Sequence, residues 1–317
     1  MSYLGIEIGG TKLQLAIGDG QRVELSAFER RDVLPDRGAQ GILAQIQDVA
    51  QKLLAEHSVA RIGIGFGGPI DTARGIVTKS HQIDGWENFP LVQWCRDTLG
   101  LPALLGNDCD SAALGEARFG AGQGCGSVFF TTVGTGIGGG FVVDGRLLGQ
   151  GRPAVSEIGH LRPGLEAIQP TATVESIASG AGIEAAVRRS LNTGSSPDCQ
   201  RQELLTLCDG DPDCLTAKLI AQSARRGNLL AQQALNDACQ TLGWAIAQVV
   251  ALLAPEVVVV GGGVSLIGNE WFFEPLRRAT AKYVFPPLAR SYQIVPAQLG
   301  EEVVVHGAIA LAAQEQA

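Results

Sequence analysis

The sequence has no apolar run long enough to cross a bilayer, so it is not expected to span a membrane. It does not open on a basic segment followed by an apolar one, and no export signal is expected. It contains no block of lysine or arginine and its net charge is −8, which argues against a nucleic-acid partner. It has no Cys-x-x-Cys. Its seven cysteines (Cys95, Cys109, Cys125, Cys199, Cys208, Cys214 and Cys239) are odd in number and are read as free thiols. Cys199, Cys208 and Cys214 share one polar stretch, but their spacing matches no common zinc pattern. The expected setting is the cytoplasm, away from both nucleic acid and membranes.

The composition is that of a globular chain: 317 residues, 45% hydrophobic and 18% charged. That length is enough for two domains. A β-rich stretch from Tyr3 to Ile8 runs into Gly9-Gly10-Thr11-Lys12 and resumes over Leu13 to Ile17. Glycines at such a turn let the backbone approach another group closely with its N–H groups outward, which suits a phosphate. The same device returns in the second half, where Ser127 to Val133 meets Gly134-Thr135-Gly136 and the glycines after it, with a strand again over Phe141 to Val143. The recurrence reads as a weak internal duplication. A third such turn, Gly261-Gly262-Gly263, ends the valine strand Val257 to Val260. None of the three is a Walker A sequence. The pattern suits a nucleoside triphosphate gripped by backbone, with the third turn under a flat adenine–ribose unit.

Between the halves, a short strand delivers Asn107-Asp108 to an alanine-rich helix that Asp108 or Asp110 is expected to cap. In α/β folds ligands bind at that strand edge. Asp108 is the candidate general base for an attacking hydroxyl. Asn107, Glu157, His160 and Glu175 are polar groups suited to the vicinal hydroxyls of a sugar. Glu116 reads as a helix-surface acid. The last helix, Val303 to Ala313, has little apolar periodicity and is expected to pack on the N-terminal domain.

These segments together resemble the ROK family of sugar kinases and repressors, within the actin-like ATPase superfamily. Glu7 to Lys12 resembles its first phosphate motif and Thr132 to Gly140 its second. Gly67-Gly68-Pro69 resembles its sugar-domain loop. Asn107-Asp108 through Glu116 resembles its catalytic segment. Glu157 to His160 and Glu175 to Gly180 resemble its sugar-binding segments, and Val259 to Ser265 its adenosine motif.

The resemblance implies an α/β fold of two ribonuclease H-like domains with a ligand cleft between them. The boundaries expected are 1–107 plus 301–317 for the small domain and 108–300 for the large. It implies ATP and Mg²⁺, with Asp108 deprotonating a hexose hydroxyl, most often the 6-OH. Gly68, Asn107, Asp108, Glu157, His160 and Glu175 would hold the sugar. Gly9, Gly10, Thr11, Lys12, Gly134, Thr135, Gly136, Gly261, Gly262 and Gly263 would hold ATP, and Glu7 would face the metal. Family habit implies a homodimer or homotetramer.

Three departures stand out. Glu7 replaces the family's aspartate. The interval Leu161 to Val174 has no cysteine, so no structural zinc is expected. Gln82 stands where an asparagine is usual. A DNA-binding repressor would need a helix-turn-helix ahead of Glu7, where there is no room. The alternatives are a non-catalytic sugar-binding relic or regulator, a kinase for fructose, mannose or an N-acetylhexosamine, and a kinase using polyphosphate.

Overall fold

The computed structural model describes residues 1–80, 82–149, 152, 155–192 and 198–314. Its strands are β1 (Ser2–Ile8), β2 (Lys12–Gly18), β3 (Ala27–Asp32), β4 (Val59–Phe66), β5 (Ile70–Asp71), β6 (Ile76–Val77), β7 (Ala103–Asn107), β8 (Ser127–Val133), β9 (Ile137–Val143), β10 (Arg146–Leu147), β11 (Val257–Gly261) and β12 (Gln293–Pro296). The helices of the first half are α1 (Gly38–Glu56), α2 (Leu91–Leu99) and α3 (Asp108–Phe119). Then follow α4 (Glu175–Ala178), α5 (Gly180–Asn192), α6 (Asp198–Leu207), α7 (Ala217–Arg225), α8 (Leu229–Leu253), α9 (Glu274–Tyr283) and α10 (Val303–Ala313).

Two five-stranded sheets result, ordered β3-β2-β1-β4-β7 and β10-β9-β8-β11-β12. Each runs third, second, first, fourth, fifth, so the duplication suggested by the two glycine hairpins is visible in the topology. The glycines after Gly136 belong to β9 rather than to a turn. At Gly140 a Cβ would fall 2.8 Å from the Cys109 carbonyl, so glycine there lets α3 lie close on the strand.

By contact the chain separates into two compact units: Met1–Phe130 with Gly140–Ser156 and Ala297–Ala317, and Thr131–Gly139 with Glu157–Pro296. This division does not coincide with the expected cut at 107/108. It keeps α3 in the first unit, and α10 packs against it there. Nine of the eleven α10 residues are buried, His306 among them. A helix apolar on every side needs neighbours on every side. Backbone approach on two sides supplies them: a Cβ at Gly63 of β4 would lie 1.8 Å from the Ala308 carbonyl, and one at Gly307 would lie 1.6 Å from the Ser111 carbonyl. Over β1, β2, β4 and α1 spreads a core that includes Leu4, Ile6, Leu15, Ile46, Ile64 and Phe66. Trp86 is buried with them, edge-on to Phe66.

In the second unit α8 and α9 form a close pair. At Gly243 a Cβ would be 2.5 Å from that of Ala279. The polar segment from Asp198 to Leu207 is helical, as α6. Thr216 and Asn228 cap α7 and α8.

Candidate active site

In the first unit, strand register gathers the site. β1, β4 and β7 run parallel, and Ile8, Phe66 and Asn107 stand in one row across them. The residues that follow, Gly9, Gly67 and Asp108, therefore leave the sheet side by side at its C-terminal edge. Gly67 N–H donates to the Ile8 carbonyl at 2.9 Å. A Cβ on Gly67 would lie 3.4 Å from Asp108 Oδ2, so this glycine borders the carboxylate. Gly68 follows with φ +154.

Asn107, not Asp108 or Asp110, caps α3. Its side-chain oxygen accepts from Cys109 N–H at 2.8 Å and Asp110 N–H at 3.4 Å. β7 holds Asn107 extended, with φ −67 and ψ 155, which is the backbone a cap requires. The correction by one residue bears on the chemistry. Capping falls to a neutral amide, and the Asp108 carboxylate at the first helical position accepts from Cys109 N–H on its Oδ1, at 2.9 Å. Burial raises the Asp108 carboxyl above the usual carboxylate range, against the pull of that N–H and of Asn107.

Glu7 and Lys12 face each other in the first hairpin, with Lys12 Nζ 3.2 Å from Glu7 Oε1. Lys12 also donates to the Glu301 carbonyl at 2.5 Å. Gln14 stands directly opposite Glu7 in the β1–β2 ladder and is buried. Its amide donates to Glu7 Oε2 at 2.7 Å and to the Glu301 carbonyl at 3.2 Å. Arg30 lies opposite Gln14 on β3 and reaches Glu301 Oε2 at 2.7 Å. Burial pushes the Glu7 carboxyl up to about 7, with Lys12 opposing the shift. Each Glu7 oxygen thus has a partner, Lys12 on Oε1 and Gln14 on Oε2. Gln82 covers the same hairpin: a Cβ on Gly10 would fall 1.4 Å from its Oε1.

In the second unit the β8–β9 turn is the gathering point. Gly134 N–H donates to the Gly136 carbonyl at 2.9 Å, and Gly180 N–H to the Gly134 carbonyl at 2.7 Å. Val264 N–H donates to the Val133 carbonyl at 2.9 Å, bringing Gly261 to Gly263 alongside. Gly262 has φ +85, and a Cβ there would lie 2.5 Å from the Val133 carbonyl oxygen. Only glycine fits. At Gly134 and Gly263 an added Cβ would meet nothing within 4 Å. The result is a glycine-lined stretch of backbone with open space at Gly134 and Gly263, a candidate cradle for a nucleotide.

Ile137, the residue after this turn, is held from both sides. Its N–H donates to Glu175 Oε2 at 2.7 Å. A Cβ on Gly159 would lie 2.1 Å from its carbonyl oxygen, so the short 3-10 turn Ile158–His160 rests on it. Glu157 precedes that turn and accepts from His160 N–H at 3.1 Å. The His160 side chain is exposed, and its ring has no hydrogen-bond partner among the described residues. Thr135, Gly134 and Gly136 share this neighbourhood with Glu175.

Asp108, Asn107, Gly68 and the Gly9 to Lys12 turn thus belong to the first unit, and Gly134 to Gly136, Glu157, His160, Glu175 and Gly261 to Gly263 to the second. The sequence reading missed Gln14 and Glu301. Gln14 carried a signal, as a polar residue at an alternate position within an apolar strand. Glu116 is corrected from a surface acid to a fully buried one. Its Oε2 accepts from Ala121 N–H at 2.7 Å, and its Oε1 from Gln298 N–H at 2.8 Å and Leu299 N–H at 2.9 Å. Cys199, Cys208 and Cys214 are free thiols. Among the described residues no helix is long and apolar enough to cross a membrane.

The model of the ROK family matches residues 3–315. A glucokinase of Thermotoga maritima is 30% identical over 98% of this chain and 97% of that protein. A glucokinase of Halalkalibacterium halodurans is 31% identical over 99% and 96%. The crystal structure of a ROK family glucokinase from Streptomyces griseus in complex with glucose and AMPPNP superposes with a TM-score of 0.78, at 31% identity, over 99% of this chain and 100% of that one. The two-sheet α/β architecture is that of these kinases, and the chain belongs to the ROK family.

Proposed function

We propose that this protein transfers the γ-phosphoryl group of ATP to a hexose hydroxyl, the 6-OH, with Asp108 as general base. The observation that carries the reading is the row Ile8–Phe66–Asn107, which sets a partly buried carboxylate beside Gly67 and the Gly9 turn. Burial matches that carboxylate to its task. A base whose pKa is raised from the ordinary value takes a hydroxyl proton more readily. The glucose and AMPPNP bound by the Streptomyces griseus glucokinase support a hexose acceptor and an ATP donor.

Asn107, Glu157, His160 and Glu175 supply acceptors and donors for the sugar hydroxyls, with Gly68 contributing backbone. The cradle of Gly134, Gly262 and Gly263 takes the nucleotide, and the Gly9 to Lys12 turn its phosphates. A magnesium ion brought in with the nucleotide would supply charge neutralisation at the phosphates held by the Gly9 to Lys12 turn. Lys12 and Gln14 each contact one Glu7 oxygen, so a metal at Glu7 would share that carboxylate with them.

That engagement of Glu7 favours a second reading, sugar binding without phosphoryl transfer. An ADP-release assay with Mg-ATP and a panel of hexoses and N-acetylhexosamines separates the two. Sugar-dependent turnover that falls at least about 10²-fold in Asp108→Asn supports the kinase. Sugar binding with no turnover on any acceptor refutes it.

A further inference from the structure

The segment from His160 to Glu175 carries, on the reading above, a sugar ligand at each end. Its base is closed by Val174 N–H on the Leu161 carbonyl at 2.9 Å. Thr173 and Ser176 exchange backbone-to-hydroxyl bonds of 3.2 Å in each direction. Apolar packing does not hold the tip, since Leu165 is 96% exposed and Ile168 79%. Arg162 holds it instead. A single guanidinium nitrogen donates to the Ala167 carbonyl at 2.9 Å and also to the Gln169 carbonyl. Arg162 makes no ion pair with a carboxylate among the described residues, so its charge is directed at these two carbonyls.

Arg162 lies two residues beyond His160. Among the described residues the His160 ring has no hydrogen-bond partner, so the path of the backbone sets where it points. That path is fixed on one side by Gly159 against Ile137 and on the other by the clamped loop. We propose that Arg162 is a positioning residue for the sugar site: its grip on Ala167 and Gln169 fixes the loop and with it the His160 imidazole. The proposal rests on the assignment of His160 to the sugar.

The test compares Arg162→Ala, Arg162→Lys and His160→Ala with the parent, using the hexose of highest turnover. Arg162 is exposed, so its removal is expected to leave the thermal midpoint unchanged. Arg162→Ala is expected to raise the sugar KM about tenfold while the ATP KM and kcat stay within about twofold. Arg162→Lys, which keeps a cation able to donate to carbonyls, recovers most of the loss. Hydrogen exchange without sugar gives a ligand-free readout: the amides of Ala167, Ile168 and Ala172 exchange faster in Arg162→Ala. An unchanged sugar KM beside a raised one in His160→Ala overturns the proposal and leaves the sugar assignment standing. Unchanged exchange in Arg162→Ala overturns it as well, as does an equal rise in both KM values. An unchanged sugar KM in His160→Ala overturns the assignment on which it rests.

Discussion

Glu175 accepts a hydrogen bond at 2.7 Å from the backbone N–H of Ile137, the residue that follows the turn Gly134-Thr135-Gly136. One carboxylate oxygen therefore ties a candidate sugar ligand to the candidate nucleotide cradle. Glu175→Ala removes the acceptor and is expected to cost about 1–3 kcal/mol of stability. Glu175→Gln keeps an acceptor and is expected to cost less than about 1 kcal/mol. Both raise the sugar KM. Urea denaturation beside sugar kinetics checks this, and equal destabilisation by the two variants would refute the tie.

Glu116 gives a contrasting case, an acid in the catalytic segment with a structural task. Three backbone N–H groups converge on it in a fully buried site. An amide in its place turns an NH₂ toward donors, so Glu116→Gln is expected to lose about 3 kcal/mol. The KM values of the folded fraction stay at the parent level. A large change in either KM without loss of stability would contradict the structural role.

Glu7 makes stability depend on pH in an unusual direction for a carboxylate. Folded, it titrates near about 7 rather than at 4.5. Between those values the folded chain keeps a proton that the unfolded chain has released. Stability from this group is therefore full below 4.5 and is lost as the pH rises to about 7. Glu7→Gln does not titrate, so its stability relative to the parent is expected to grow by about 3 kcal/mol from pH 4.5 to pH 8. Unfolding free energies measured across that range check it. A constant difference would show that Glu7 is ionised throughout.

Asp108 must be ionised to act as a base. Its raised pKa predicts that kcat/KM falls on the acid side at a pH above the ordinary aspartate value of 3.8. A pH–rate profile locates that limb. An acid limb at or below the ordinary value would remove burial from the account of the base.

Much of the fold was legible because valine, isoleucine and glycine alternate so sharply. The β1–β2 and β8–β9 hairpins follow from strand runs broken by glycine. The cap of α3 was not legible. Asn107, Asp108 and Asp110 are all good caps, and only the pairing of Asn107 with Phe66 chooses among them. Glu116 was misjudged because its partners, Gln298 and Leu299, lie far along the chain. In the site, the residue types were readable and the neighbours were not. Nothing in the sequence pairs Glu7 with Gln14, or Ile137 with Glu175, until the strands are in register.

The burial of α10 has a consequence for how the protein is made. Gly5, Gly63 and Gly115 are shaped for backbone that is synthesised some 200 to 300 residues later, across the whole second unit. A ribosome that has completed β7 and α3 has produced a sheet and a helix with their shared face still open to water. The first unit therefore finishes its core last although it begins first. During translation that open face is where a chaperone would bind and where a premature encounter between two nascent chains would begin.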